Sequence, residues 1–564
     1  MPNHKHIIYQ IFTRLFGNTN LTNIQGGTIE QNGTGKFNDI TSKSLAELKR
    51  LGVSHVWYTG IIEHATMTDY SAYGIVADNP LVVKGRAGSP YAIKDYYDVN
   101  PDLAVNINDR MAEFEALVLR THQAGLQVII DFVPNHLARQ YHSDAKPEGV
   151  TDFGADDDVN VAFSAQNNFY YLPDQTFVLP EGIELPTGIS PQKYEEYPAK
   201  ASGNDVFWHQ PSINDWFETV KLNYGVDYQH GHAAHFDPVP NTWLKMRDVL
   251  LFWAAKGVNG FRCDMAEMVP AAFWAWVIDE LKAHYPHLIF IAEVYNPAEY
   301  QNYIFGGKFD YLYDKVGLYD ALRRLMEGHG HADDITRVWQ NESGNYGERM
   351  LRFLENHDEQ RIASRFFAND PFVAVPAMVL SATLHGGPLM LYFGQEFGVL
   401  PNRSEGFSGN DGRTTIFDYW CVEEYQKWVS ADFSDNKLTN SQKKLRNFYA
   451  ELNMFVVGNE AIVAGGFYDL QYAQTYDRAR TYSFIRHTPA QKLLVVCHFD
   501  LNDSLDYTIF LPDHARQTLG FGVQDNIAFK VVFSANRRVG VAEMHPDNFV
   551  FEPCSVKIFE ITAS

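Results

Sequence analysis

The feature that most constrains this chain is a series of short apolar runs separated by longer stretches of helical pattern. The runs are HIIYQIF (6–12), VSHVWYTG (53–60), LQVIIDFVPN (126–135), VNGFRCD (258–264), HLIFIAEV (287–294), RMLRFLENHD (349–358) and LMLYFGQE (389–396). Each has the length and composition of a buried strand, whereas RMAEFEALVLRTHQAG (110–125) spaces its apolar residues as a one-sided helix does. Repeated strand-helix units build a parallel sheet. Seven runs, with FDYLYD (309–314) as an eighth, predict an α/β fold closed into a (β/α)8 TIM barrel.

Two intervals break the rhythm. Residues 137–242 are rich in Asp, Asn, Pro and aromatics without strand-helix alternation. A structureless loop of that length is implausible, so this interval reads as an inserted subdomain after the third strand. Beyond about 456, alternating stretches such as KLLVVCHFD (492–500) and DYTIFLP (506–512) lack intervening helices and predict a C-terminal antiparallel β-sandwich. The expected organisation is therefore barrel (1–136), insertion (137–242), barrel again (243–455) and β-sandwich (456–564).

Composition narrows the partners. A net charge of −23 opposes nonspecific binding to nucleic acid or to an anionic membrane, which needs clustered Lys and Arg. The four cysteines, Cys263, Cys421, Cys497 and Cys554, form no CxxC pair and are expected as free, buried thiols. No run of about 18 apolar residues occurs, and no long apolar segment follows the basic residues near Met1. The expectation is a cytoplasmic protein, with export through a leader absent from this sequence as the alternative. Nothing in the sequence reports oligomeric state.

Four of the runs end in polar groups: Asp131 to His136 in DFVPNH, Arg262 and Asp264 in GFRCD, Glu293 in IAEV, and His357 with Asp358 in ENHD. Barrel enzymes hold their chemistry at the carboxyl ends of strands. A single Asp there is most often a turn or cap residue, but Asp264, Glu293 and Asp358 end the fourth, fifth and, counting FDYLYD, seventh presumed strands and would converge above one barrel. Cleavage of a glycosidic bond with retention uses such a set: one carboxylate attacks the anomeric carbon and a second carboxyl group protonates the leaving oxygen. Arg262 precedes Asp264 by two residues, so period-2 alternation puts both on one strand face, where the guanidinium favours the ionised nucleophile.

These segments resemble the α-amylase family, glycoside hydrolase family 13. Its four short regions occur in order as DFVPNH (131–136), GFRCDMAEM (260–268), IAEV (291–294) and ENHD (355–358). GVSHVWYTGI (52–61) and the tyrosine-bearing SPYAIKDYYDVNPDL (89–103) add to the likeness, which spans about residues 6–400. The resemblance implies Asp264 as nucleophile, Glu293 as general acid/base and Asp358 as stabiliser of the distorted, oxocarbenium-like sugar. It further implies that Arg262 holds Asp264, that His136 and His357 bond sugar hydroxyls, and that Tyr91 stacks on the sugar. Asn135 matches an asparagine that ligates a structural calcium with oxygens from the insertion, for which Asp156, Asp157 and Asp158 are the candidates.

The sequence also departs from the family. Where its α-amylases often carry Lys-His three and four residues after the nucleophile, this chain has Glu267 and Met268, so the resemblance does not imply the usual grip on the leaving-group side. NNFYYLP (167–173) and VFWHQPS (206–212) offer aromatics either to a sugar or to the insertion's own core. The reading that results is a retaining hydrolase of α-1,4-glucosidic bonds in starch or malto-oligosaccharides. Endo-acting amylase leads, and an exo-acting α-glucosidase or maltogenic enzyme or a glucan transferase is the alternative. A non-catalytic glycan-binding member is disfavoured because all three carboxylates are present. A metal-dependent hydrolase working through His136 and His357 is disfavoured, because neither histidine belongs to an HxH or HExxH ligand pair.

Overall fold

The computed structural model describes residues 5–401, 403–522, 524–538, 540–541 and 549–563. Eight parallel strands follow the predicted runs: β1 (Ile7–Phe12), β2 (His55–Thr59), β3 (Gln127–Phe132), β4 (Gly260–Cys263), β5 (Ile289–Ala292), β6 (Tyr311–Tyr313), β7 (Met350–Leu351) and β8 (Leu389–Tyr392). They pair in the order β7-β6-β5-β4-β3-β2-β1-β8, and a parallel bridge between Arg352 and Leu389 closes the ring. The FDYLYD segment supplies β6, which pairs with β5 and β7 and brings the strand count to eight, as its pattern suggests.

Alternation along the strands divides the core in two. Ile8, Trp57, Ile129, Ile291, Tyr311, Leu351 and Met390 form an apolar cluster inside the barrel. Their sequence neighbours, such as Ile7, Val56, Val128, Phe290 and Leu389, belong to the main core around it. Two positions further along, the inward set turns polar: Gln10, Thr59, Asp131, Arg262 and Glu293 are all buried. The lumen is thus oil at its amino-terminal end and charge at its carboxyl-terminal end. Gly260, at the inward register of β4, is required by space, since a Cβ there would lie 2.5 Å from Ile289 Cγ1.

The outer helices carry one buried stripe each. In Arg110–Gln123 it is Phe114, Leu117, Val118 and Thr121. Asn241–Ala255 precedes β4 and ends near Gly257, whose φ of 90° suits glycine.

The excursion between β3 and β4 is built from short antiparallel ladders, the innermost pairing His136–Ala138 with Thr219–Lys221. Phe169, Tyr170, Tyr171 and Leu172 of NNFYYLP are buried, so that motif serves the insertion's own core, while Trp208 is exposed.

After helix Asn440–Gly458 come β9 (Gly466–Asp469), β10 (Thr481–His487), β11 (Lys492–His498), β12 (Ile527–Asn536), β13 (Gly540–Val541) and β14 (Ser555–Ala563). They form an antiparallel sheet in the order β9-β10-β11-β14-β12-β13. Alternation again sorts its faces: Phe484, Leu493, Val495, Val556 and Ile558 join the main core, contacting helix Val375–Thr383. Ile485, Leu494, Val496, Phe559 and Ile561 face a second layer containing Tyr507, Ala515, Leu519 and Phe551. All four cysteines are buried and unpaired. No helix among the described residues is long and apolar enough to cross a membrane.

Candidate active site

A cleft of about 890 Å³ opens over the polar end of the lumen, lined by Tyr91, His136, Asp264, Glu293, His357 and Asp358 among others. Arg262 lies beneath them, 1% exposed, with its guanidinium between several carboxylates. Nη1 stands 2.7 Å from Asp264 Oδ1 and 3.3 Å from Asp131 Oδ1, Nη2 stands 2.7 Å from Glu293 Oε1, and Nε donates to the Tyr313 hydroxyl at 3.2 Å. The rings of Trp57, Tyr91 and Tyr313 surround it at 5.4–5.5 Å. A buried cation set among three carboxylates explains why charge sits in an otherwise apolar strand.

Backbone geometry fixes the two carboxyl groups on β4 and β5. The N–H of Asp264 continues the ladder to Phe132 O at 2.9 Å, and that of Glu293 reaches Cys263 O at 3.1 Å. Met265 then turns into the left-handed region at φ 41°, uncommon for a non-glycine residue, which aims its N–H at Glu293 Oε2 (2.7 Å). The Tyr295 hydroxyl donates to Glu293 Oε1 at 2.6 Å. Glu267, at a position where the family often has lysine, accepts the N–H groups of Tyr295 (3.2 Å) and Asn296 (3.1 Å), bracing the loop after β5.

The remaining residues form a connected set. Gln10 Nε2 lies 2.9 Å from His357 Nδ1, whose Nε2 is 2.5 Å from the Tyr91 hydroxyl, with the two rings stacked at 5.2 Å. The Trp57 indole donates to Asp131 Oδ2 at 2.9 Å, and the Tyr91 hydroxyl to Asp131 Oδ1 at 3.4 Å. Asp358 lies 3.2 Å from His357 and is the most open of the three carboxylates, its side chain 35% exposed. Arg413 Nε donates to the Asp358 carbonyl at 2.6 Å. His136 packs against Trp216 with ring centres 5.1 Å apart.

Burial dominates the electrostatics. It pushes the Asp264 carboxyl well above the usual range, against the pull of Arg262. Burial and the charge of Glu293 push Asp358 up to about 7, and burial pushes Asp131 up to about 6 despite Arg262. Burial also depresses His136 to about 3 and holds His357 well below its ordinary value, so both imidazoles are neutral at pH 7.

Asn135 does not join the cleft. Its Nδ2 donates to Gly203 O at 2.8 Å, and its Oδ1 accepts from Lys221 Nζ at 2.8 Å. Lys221 is 1% exposed, pairs with Asp205, and lies 5.1 Å from the Tyr228 ring centre. Both oxygens of Asp157 are occupied by the N–H groups of Asn168 and Phe169 and the Tyr171 hydroxyl. Asp158 Oδ1 accepts from Asn160, and Asp156 Oδ2 from Thr151. Calcium requires six to eight free oxygens, so these residues do not fit it: an ammonium already holds the one oxygen that Asn135 offers.

The Alpha-amylase family model, described as the alpha amylase catalytic domain, matches residues 10–446. The chain belongs to the α-amylase family. Among its family relatives, an α-1,4-glucan:maltose-1-phosphate maltosyltransferase of Cereibacter sphaeroides is 23% identical over 462 residues, covering 78% of this chain and 61% of the relative. The α-amylase MalA of Haloarcula japonica is 25% identical over 406 residues, covering 71% and 45%. The chain thus spans about half of the length of these two relatives. A noncanonic maltogenic α-amylase of Thermotoga neapolitana shares the fold, with a TM-score of 0.56, 20% identity, and coverage of 99% of this chain and 98% of that one.

Asp131, Tyr295, Gln10, Trp216 and Arg413 contact the predicted site residues, and their place beside them is not evident from the sequence motifs. A polar residue inside the apolar run IIYQIF was the available signal for Gln10, and the i+2 spacing after Glu293 was the signal for Tyr295.

Proposed function

We propose that the protein is a retaining hydrolase of α-1,4-glucosidic bonds in malto-oligosaccharides or starch. The observation that carries this reading is the single guanidinium shared by Asp264 and Glu293, each 2.7 Å from one of its terminal nitrogens. Carboxyl groups held at the two ends of one guanidinium are a close pair. That suits the separation of roughly 5 Å used for retention rather than the ~6.5–9.5 Å of inversion.

In this mechanism Asp264, as the carboxylate paired with Arg262, attacks the anomeric carbon while Glu293 protonates the departing oxygen. The bond to the leaving sugar breaks and a glycosyl ester forms on Asp264. Glu293, now the base, takes a proton from water, whose oxygen attacks the same carbon and releases Asp264 with the original anomeric configuration. Met265 N–H and the Tyr295 hydroxyl hold the two oxygens of Glu293 in place through both proton transfers. Tyr91 and His357 stack into a flat wall for the reacting sugar. Asp358, raised to about 7 by its burial and the charge of Glu293, can offer a proton to a sugar hydroxyl.

The test is product analysis by chromatography with maltoheptaose and soluble starch, with and without inorganic phosphate and free maltose. Shortened oligosaccharides whose yield is independent of phosphate and maltose support hydrolysis. Maltose 1-phosphate, or products longer than the substrate as the main outcome, would make the chain a transferase.

A further inference from the structure

Arg86 lies in the loop after β2, 7% exposed, and ties together three other segments. Its Nε donates to Gly26 O at 3.1 Å, its Nη2 to Thr187 O at 2.8 Å, and its backbone N–H to Asp418 Oδ1 at 2.9 Å. Gly26 follows β1, Thr187 belongs to the insertion, and Asp418 follows β8. The insertion touches the β1 loop directly, since a Cβ on Gly26 would stand 3.1 Å from Pro186 Cβ.

The seam is reinforced from behind. Asn23 and Cys421 exchange two hydrogen bonds at 2.8 and 2.9 Å, Ala87 N–H reaches Phe417 O at 2.9 Å, and Asn32 reaches Tyr419 O at 2.9 Å. Neighbours of the clasped residues line the cleft: Gln25, Gly85, Gly182, Glu184, Phe417 and Asp418.

The ring order says which end of the cleft this is. Glu293 follows β5, and β1 lies four strands away on the opposite side of an eight-membered ring. A leaving group that receives its proton from Glu293 departs on the β5 side. The rest of the bound chain, running toward its non-reducing end, therefore lies toward β1, β2 and β8. The insertion forms one side of the cleft and the β1 and β8 loops the other, so their contact through Arg86 closes that end.

We infer that Arg86 clasps these loops into a wall across the non-reducing end of the cleft, so that the enzyme cuts from chain ends and not in mid-chain. The inference rests on the roles proposed for Asp264 and Glu293, and it makes Arg86 a positioning residue for specificity. It favours the exo-acting alternative over the endo-acting expectation.

The test compares p-nitrophenyl maltoheptaoside with the same compound carrying a 4,6-ethylidene group on its non-reducing glucose, products being followed by chromatography. The wild type is expected to prefer the unblocked substrate by roughly a hundredfold, a steric exclusion at the strong end of what pocket shape achieves. Arg86→Met is expected to gain activity on the blocked substrate and to compress that preference by roughly tenfold or more, with Arg86→Lys in between. A loss of fold cannot produce such a gain. If Arg86→Met does not fold, Pro186→Gly, which loosens the same contact, is expected to compress the preference likewise. Equal wild-type rates on both substrates would overturn the wall while leaving the hydrolase reading intact. An unchanged preference in the folded variants would overturn the role of Arg86. No turnover of either substrate would remove the hydrolase reading and the inference with it.

Discussion

Arg262 pairs with Glu293 at 2.7 Å, as closely as it pairs with Asp264, so the proposed acid/base and the proposed nucleophile are held by one cation. The pairing links the two half-reactions electrostatically, because neutralising either carboxyl group changes the field felt by the other.

Asp264→Asn is expected to lower kcat on maltoheptaose by a factor of roughly a thousand or more, since no other group replaces the attacking oxygen. The fold is expected to survive, with Arg262 still paired to Glu293 and Asp131. Steady-state kinetics alongside far-ultraviolet circular dichroism checks both halves, and wild-type turnover in a folded Asn variant contradicts the assignment.

Glu293→Gln is expected to lose most turnover of malto-oligosaccharides, whose leaving oxygen needs a proton, while retaining glycosylation from a p-nitrophenyl substrate with a good leaving group. Added azide should restore turnover of the aryl substrate by replacing the water that Glu293 can no longer activate, giving an α-glycosyl azide. Equal loss on both substrates, without azide rescue, would assign Glu293 a different role.

Asp358→Asn is expected to change the pH dependence of stability in a defined direction. The ordinary carboxyl value is 3.8 and the folded value is about 7, so the folded chain binds the proton more tightly than the unfolded chain. The contribution of this group to stability is complete below pH 3.8 and is lost as pH rises toward 7. The Asn variant does not suffer that loss. Its Tm should therefore exceed the wild-type value by a margin that grows across this window and is level above it. A margin that shrinks with rising pH would contradict the raised value.

Lys221→Met is expected to destabilise the fold by roughly 1–3 kcal/mol, because it strips the buried Oδ1 of Asn135 of its donor. Chelation of divalent ions is expected to leave the wild-type Tm unchanged, since a side-chain ammonium stands where the family often uses calcium. Urea unfolding with and without a chelator separates the two effects, and a chelator-induced loss as large as that of Lys221→Met would restore a metal at this place.

The barrel was legible because strand length and alternation are local. Every strand lies within its predicted run, and the arginine two residues before the nucleophile points the way the period requires. The ten-residue run RMLRFLENHD proved least like its pattern: only Met350–Leu351 is strand, with Arg352 adding one bridge, and Asp358 arrives by way of a loop. The less legible part is long-range pairing. Gln10 meets His357 across 347 positions and Lys221 meets Asn135 across 86, contacts that no local pattern encodes. The ammonium beside Asn135 was illegible for that reason, since Asn135 alone does not reveal that Lys221 faces it.

The most direct test of the central claim is covalent trapping. The protein is incubated with 5-fluoro-α-glucosyl fluoride, whose good leaving group allows glycosylation and whose ring fluorine slows release, and the labelled peptide is identified by mass spectrometry. One fluoroglucosyl ester per chain is expected, on Asp264 in GFRCD and absent from Asp264→Asn. A label on Glu293 or Asp358, or turnover of malto-oligosaccharides whose first-formed product is the β-anomer, would contradict it.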